Sequence, residues 1–148
     1  MILIDANLLI YAVNADAPDH AEAKAWLESV LSGTETVGFA WVVLLAFLRV
    51  TTRPGLLARP LSVSSALDLV DSWLTQSCVV TVEPTPRHAR ILRDLLLPMG
   101  TGGNLTSDAH LAALSIGHGA ELCSSDNDFA RFPRLRWRNP LLRREQRG

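Results

Sequence analysis

Short apolar runs alternate along the chain with longer segments in which apolar residues recur at helical spacing. The apolar runs predict buried parallel strands at 2–4, 36–39, 79–82 and 122–124. The helical spacing predicts helices at 18–31, 41–50, 62–76, 87–97 and 108–116. Strands that alternate with helices in this way predict an α/β domain whose mainly parallel sheet is covered on both faces.

Polar residues mark the expected starts of three helices. Ser62 is expected to cap the third helix, and Thr85, which precedes a proline, is expected to begin the fourth. Either Thr106 or Ser107 is expected to cap the fifth helix. The glycine-rich segment 98–104, which precedes that helix, is predicted to be a loop.

The length and composition of the chain fit one compact domain. With 148 residues, 48% of them hydrophobic, the chain can bury a core without disulfides or structural zinc. We expect the domain to span 1–142 and the basic segment 143–148 to form a flexible tail. Because Cys78 and Cys123 lack the spacing of a zinc or redox site, we expect a reduced, cytoplasmic protein.

No feature of the sequence points to a membrane. No apolar stretch approaches the roughly 18 to 20 residues that a membrane-spanning helix needs. The first residues are apolar, but they carry no basic region and Asp5 interrupts them. We therefore expect neither a signal peptide nor a membrane partner.

The net charge of −1 averages two unlike parts of the chain, because arginines are concentrated near the C-terminus. Seven of them lie at or after position 131: Arg131, Arg134, Arg136, Arg138, Arg143, Arg144 and Arg147. These arginines could hold RNA phosphates, with Trp137 stacking on a base. Equally, Leu135 and Trp137 could pack as a last strand and leave the arginines in solvent. Both interpretations stay open at this point.

Four aspartates are placed where an α/β sheet usually binds its ligands. Asp5 and Asp126 directly follow predicted strands, and Asp128 lies two residues further on. The carboxyl ends of parallel strands open into one crevice, so Asp5 and Asp126 should share it. Asp108 is predicted in the first turn of a helix, where the helix dipole favours its ionised form.

A shared cation is the simplest way to hold several carboxylates together. Without one they would repel each other and shift their pKa values. The donors are all oxygen, which favours Mg²⁺, with Mn²⁺ able to substitute, over zinc. Each aspartate alone has an ordinary structural explanation, as a strand-end residue, a first-turn helix acid or part of a turn. Their combination predicts a metal site.

Three segments resemble PIN domains, and specifically the VapC toxins of toxin–antitoxin pairs. They are the N-terminal Ile-Asp-Ala-Asn, the Asp-Ala-His-Leu-Ala-Ala-Leu helix that begins at Asp108, and the Ser-Ser-Asp-Asn-Asp-Phe turn that contains Asp126 and Asp128. The segment 41–49 and the final Asn-Pro-Leu at 139–141 look like one VapC subgroup. The resemblance therefore covers nearly the whole chain.

The resemblance implies a three-layer α/β/α fold and a metal-dependent endoribonuclease that acts as the toxin of a type II toxin–antitoxin pair. It also implies an RNA substrate, a cognate VapB-like antitoxin and a homodimer. Asp5, Asp108 and Asp126 would be metal ligands, and Asp128 would join them as a catalytic residue. Asn7 and Ser124 occupy small polar positions from which they would orient the acids.

One departure from the family pattern bears on activity. The usual glutamate on the helix after the second strand is missing, and its aligned position is Leu44, or Ala46 if the register shifts. Because three aspartates remain, we expect an active metal-dependent nuclease. The alternative is a catalytically weak or inactive PIN module that binds RNA or an antitoxin.

Two further features have more than one interpretation. His110 could act in proton transfer, but a structural role is the simpler expectation for a histidine on this helix. The apolar stretch 41–48 could pack against a second subunit or an antitoxin helix.

Overall fold

A computed structural model describes residues 1–100 and 102–142. The strands are β1 Ile2–Ile4, β2 Val37–Phe39, β3 Val79–Thr81, β4 Glu121–Cys123 and β5 Trp137–Arg138. The α-helices are α1 Ala6–Val13, α2 His20–Leu31, α3 Trp41–Thr52, α4 Val63–Leu74, α5 His88–Leu96 and α6 Thr106–Gly117. Three short 3₁₀ turns occupy Leu97–Met99, Gly103–Leu105 and Asn127–Arg131. The predicted tail at 143–148 lies outside the described residues.

The five strands form one sheet in the order β3-β2-β1-β4-β5, and every neighbouring pair is parallel. Leu3 of β1 pairs with Gly38 on one side and Leu122 on the other, so β1 is the central strand. All three residues of β1 are buried, as expected for a strand covered on both faces. The predicted α/β fold with a parallel sheet is confirmed.

The helices form two packed groups. Helix α1 packs against α2 and α3, and α3 packs against α4. Helices α5 and α6 pack against each other. With the sheet between helical layers, the expected three-layer α/β/α arrangement is confirmed.

Small residues allow close packing at the centre of the fold. A side chain at Gly38 would meet Leu3 Cδ1 at 3.2 Å and Val82 Cγ1 at 3.0 Å, so the sheet accepts only glycine there without local adjustment. Helix α6 buries a run of alanines and leucines, namely Ala109, Leu111, Ala112, Ala113 and Leu114. Their small volume lets α6, which carries Asp108, lie close to the sheet.

One helix was not predicted, and one strand was predicted only as an alternative. Helix α1 begins directly after Asp5, and its eight residues are too few and too uniformly apolar for a clear helical period. Strand β5 is the last strand that one interpretation of the arginine-rich segment required, and it pairs with β4 through Leu122 and Trp137.

The helix starts agree with prediction at one of three places. Ser62 caps α4, since its hydroxyl accepts a hydrogen bond from the Ser65 amide at 3.0 Å. The prediction for Thr85 is wrong, because α5 begins at His88 and the buried Thr85 hydroxyl finds no partner among the described residues. The cap prediction for α6 is also wrong: the helix already begins at Thr106, whose hydroxyl donates to the Gly103 carbonyl at 3.0 Å.

No helix within the described residues is long and apolar enough to cross a membrane.

Candidate metal centre

Asp5 joins β1 to α1. It is the N-cap of α1, and its Oδ1 accepts a 2.8 Å hydrogen bond from the Ala6 amide. Its Oδ2 accepts hydrogen bonds from the Ser124 hydroxyl at 2.6 Å and from Asn7 Nδ2 at 3.3 Å. The carboxylate is thus held on both oxygens at the carboxyl end of the central strand.

Ser124 and Asn7 connect the ends of β1 and β4. Ser124 Oγ accepts hydrogen bonds from Asn7 Nδ2 at 3.2 Å and from the Asp126 amide at 3.0 Å. Asn7 Oδ1 accepts a hydrogen bond from the Ser125 amide at 3.3 Å. Because Ser124 is fully buried, its hydroxyl fixes Asp5 and the backbone of Asp126 relative to each other. This arrangement supports the expected orienting role of Asn7 and Ser124.

Asp126 and Asp128 lie on the 3₁₀ turn that follows β4. Asp126 is its N-cap, and its Oδ1 accepts a 2.9 Å hydrogen bond from the Asp128 amide. Asp128 is exposed, and its Oδ1 lies 3.8 Å from Nε of Arg131. The turn therefore presents both carboxylates on the same short segment.

Three carboxylates converge at this edge of the sheet. Asp108, Asp126 and Asp128 each offer one oxygen, and these oxygens lie within 4.8 Å of one another. We call these three residues the acidic cluster. Asp5 borders the cluster, since the Ser124 hydroxyl bonds both the Asp5 carboxylate and the Asp126 amide. The structure thus brings the four predicted aspartates into one region. It differs from the expected ligand set, because the cluster contains Asp128, which was expected only as a catalytic residue, and has Asp5, which was expected as a ligand, beside it.

Burial and neighbouring carboxylates both raise pKa values in this region. Burial, followed by the charges of Asp126, Asp5 and Asp128, raises the pKa of Asp108 to about 6. Burial also raises the pKa of Asp5, with a smaller contribution from Asp126, while hydrogen bonds from Ser124 and Ala6 oppose the rise. A divalent cation would relieve this repulsion.

The donor set fits the expected metal. All three residues of the cluster supply carboxylate oxygens, the donors that Mg²⁺ and Mn²⁺ prefer. Within the described residues the cluster contains no histidine or cysteine that would favour zinc. Asp108, Asp126 and Asp128 are therefore the side chains placed to hold such an ion, with Asp5 as their neighbour.

The position of the missing glutamate is apolar. Leu44 is completely buried on α3, and Ala46 is half-buried. No glutamate belongs to the acidic cluster in the part of the chain that the structure describes. The site is accordingly built from aspartates alone.

His110 has a partner that the sequence did not reveal. Its Nδ1 lies 3.0 Å from Nε2 of His88, and the two rings meet edge to face between α5 and α6. Burial, followed by the proximity of His110, lowers the pKa of His88. The residues are 22 positions apart, and no local pattern links them. The pairing favours the structural role for His110.

The arginines of the C-terminal segment are engaged in local contacts where they are described. Arg131, Arg134 and Arg138 lie beside Asp128, Asp94 and Glu121 at 3.8, 3.4 and 2.7 Å, and Arg136 donates to the Gly119 carbonyl. Trp137 Nε1 donates to the Ser124 carbonyl at 3.1 Å, and the residue is half-buried. Arg143, Arg144 and Arg147 lie outside the described residues.

Comparisons with known proteins identify the family of the chain. The PIN domain family model matches residues 2–135. The chain is 49% identical to ribonuclease VapC37 of Mycobacterium tuberculosis over 140 residues, which cover 95% of this chain and 97% of that protein. It is 43% identical to ribonuclease VapC33 of the same species over 141 residues, covering 95% and 99%.

The fold has solved counterparts at low sequence identity. VapBC2 from Rickettsia felis, solved bound to a DNA fragment from its promoter, superposes with a TM-score of 0.67 at 19% identity, covering 94% of this chain and 98% of that one. At this identity the likeness concerns the fold. Together with the family match over 2–135 and the two ribonucleases, it shows that the chain belongs to the PIN-domain family, in its VapC branch.

Proposed function

We propose that the chain is an endoribonuclease that depends on Mg²⁺ or Mn²⁺ and acts as the toxin of a type II toxin–antitoxin pair. The observation that carries the proposal is the acidic cluster, whose three carboxylates converge within 4.8 Å. The similarity of the chain to two VapC ribonucleases supports RNA as the substrate.

Each aspartate has a distinct role in the proposal. Asp108, Asp126 and Asp128 hold the ion through their carboxylates, and Asp5 adds negative charge beside them. A bound divalent ion supplies charge neutralisation for a phosphodiester and acidifies a water molecule. Ser124 and Asn7 keep the Asp5 carboxylate in a single orientation through their hydrogen bonds. The arrangement fits hydrolysis of a phosphodiester by water.

A second candidate rests on the missing glutamate. Leu44, or Ala46 if the register shifts, stands where the resemblance places a glutamate, so the chain would have one carboxylate fewer around the site. Such a protein would be a weak or inactive module that binds RNA or an antitoxin without turnover. We favour the active enzyme, because the remaining aspartates still converge and Mg²⁺ commonly keeps several waters in place of protein ligands.

The proposed partners follow from the relatives. The R. felis counterpart is a VapBC pair, which supports a VapB-like antitoxin for this chain. We also propose a homodimer. Helix α3 exposes Trp41, Val42 and Leu45, an apolar face that a second subunit or an antitoxin helix would cover.

Expression in a bacterial host without a related toxin tests the proposal. Induction of the wild-type chain should arrest growth and produce discrete RNA fragments, and co-expression of the antitoxin should restore growth. The Asp108→Asn variant, at an equal protein level, should neither arrest growth nor produce RNA fragments. Arrest by both proteins without RNA fragments would overturn the nuclease assignment, and binding of RNA without fragments would favour the inactive module.

A further inference from the structure

A cavity of about 280 Å³ lies between the end of α5 and the segment that follows the 3₁₀ turn of the acidic cluster. Its apolar lining consists of Leu95, Pro98, Met99, Phe132 and Pro133. Leu95 and Phe132 are buried, so they form a fixed base, whereas Pro98 and Pro133 are exposed and Met99 is half-buried. The cavity is therefore an apolar slot that opens to solvent.

Charged side chains complete the lining of this slot. They are Asp94, Arg131 and Arg134. Arg134 Nη1 lies 3.4 Å from Asp94 Oδ2, and Arg131 Nε lies 3.8 Å from Asp128 Oδ1. Because Asp128 belongs to the acidic cluster, one side chain, that of Arg131, links the slot to the candidate metal centre.

The two arginines can change partners at low cost. Both ion pairs are exposed, with the arginine side chains 60% and 54% accessible, and exposed ion pairs of this kind contribute little to stability. Guanidinium groups bind phosphate well, often through two parallel hydrogen bonds. An incoming phosphate could therefore replace either carboxylate as partner.

The slot and its arginines match one nucleotide of a single-stranded RNA. A nucleobase is flat and apolar on its faces, so it can lie against proline rings and the Met99 side chain, and Asp94 can accept a hydrogen bond from a base N–H group. The adjoining phosphate then meets Arg131 or Arg134. An apolar protein side chain would fill the slot but would bring no anion to the two exposed guanidinium groups. A nucleotide brings both a base and a phosphate, so it matches more of the lining, which favours RNA as the occupant.

We propose that this slot is a nucleobase subsite, which holds the base of a nucleotide next to the phosphodiester at the acidic cluster. The inference rests on the proposed ribonuclease function for its biological meaning. The binding itself does not, because a mononucleotide has no internucleotide bond to cut.

Binding of AMP and of ribose 5-phosphate tests the subsite directly. Both are titrated into the purified full chain without added metal, and the NMR signals of the Leu95 methyl groups are followed. AMP should shift these signals and bind at least about fivefold more tightly than ribose 5-phosphate, because a stacked base adds binding energy. Arg134→Ala should weaken both ligands.

Two tryptophan variants give a matched control. Met99→Trp fills the slot and should abolish the AMP-specific shift. Leu97→Trp adds the same ring two residues away, at a position that is 63% exposed and outside the lining of the slot, and should bind AMP like the wild type. Thermal melting of both variants checks that each is folded.

Several outcomes would overturn the subsite. One is AMP binding no tighter than ribose 5-phosphate, and another is unchanged AMP binding by a folded Met99→Trp. If an apolar antitoxin peptide shifts the Leu95 methyl signals and AMP does not, the slot belongs to a protein partner instead. If AMP binds as expected and the chain cuts no RNA, the subsite stands and the proposed nuclease function fails.

Discussion

The Ser124 hydroxyl donates a 2.6 Å hydrogen bond to Asp5 Oδ2 and so ties the end of β4 to the end of β1. This hydroxyl is buried and also accepts a hydrogen bond from the Asp126 amide. Ser124→Ala should therefore leave the Asp126 amide and one oxygen of Asp5 without this partner. We expect a loss of about 1 to 3 kcal/mol in the free energy of unfolding. RNA cleavage should fall by about tenfold or more, as for other groups that orient metal ligands.

Ser125→Ala is the control for that variant. Ser125 is the next residue, and in the described structure it is its amide, not its hydroxyl, that bonds to Asn7. Urea unfolding and cleavage rates of the two variants should therefore differ clearly. Equal behaviour of both would show that the Ser124 hydroxyl does not organise the site.

The metal-free protein should lose stability as the pH rises towards the pKa of Asp108. Its folded pKa of about 6 exceeds the ordinary 3.8, so the folded state binds this proton more tightly than the unfolded state. The contribution of Asp108 to the free energy of unfolding should then decrease from about pH 4 to about pH 6 and level off above. Asp108→Asn should remove this decrease and be roughly 1 kcal/mol more stable than the wild type at pH 7, after allowance for solvent screening.

Urea unfolding in EDTA at several pH values measures this effect. The comparison with wild type cancels the opposite contribution of His88, whose lowered pKa costs stability as the pH falls. Asp71→Asn, at an exposed position on α4, serves as the control and should track the wild type. A stability difference between Asp108→Asn and wild type that is the same at pH 4 and pH 7 would contradict the electrostatic account.

Mg²⁺ or Mn²⁺ should raise the melting temperature of the wild type at pH 7. An ion that binds only the folded state adds about 2.7 kcal/mol at a concentration 100 times its dissociation constant. Asp126→Asn removes a carboxylate from the acidic cluster and should abolish most of the shift. Asp68→Asn changes an exposed aspartate on α4 and should keep the full shift in melting temperature. A loss of the shift in the Asp68→Asn variant would indicate nonspecific binding.

His110→Asn should affect stability more than cleavage. The substitution disrupts the 3.0 Å contact with His88 between α5 and α6, which we expect to cost about 1 kcal/mol. Cleavage should remain within about threefold of wild type, since His110 Nδ1 is engaged by His88 Nε2 and is not free to transfer a proton. A loss of cleavage of about 100-fold with normal stability would assign His110 to proton transfer.

The sequence carried most of the information on the sheet and on the aspartates. Asp5 and Asp126 follow buried apolar strands, and parallel strands bring such residues together regardless of loop details. Asp108 was predicted for a different local reason, its place in the first turn of a helix, and the structure places it beside Asp126. These parts of the site depend on hydrophobic periodicity and on the ends of helices and strands, which the sequence expresses directly.

Other parts depend on tertiary contacts that have no local signature. The pairing of His88 with His110 joins two helices, and neither residue is marked by its neighbours. The slot near Met99 arises where α5 meets the segment after β4. The caps predicted at Thr85 and at Thr106 or Ser107 were wrong because each helix starts at a different residue from the one its local sequence favoured.

Cleavage of total cellular RNA by the purified protein is the most direct test of the central claim that the acidic cluster supports metal-dependent hydrolysis. The wild type should produce discrete fragments with Mg²⁺ and with Mn²⁺, none with EDTA, and the Asp126→Asn variant should produce none under any of these conditions. Fragments that form equally in EDTA, or equally with a folded Asp126→Asn protein, would contradict the account.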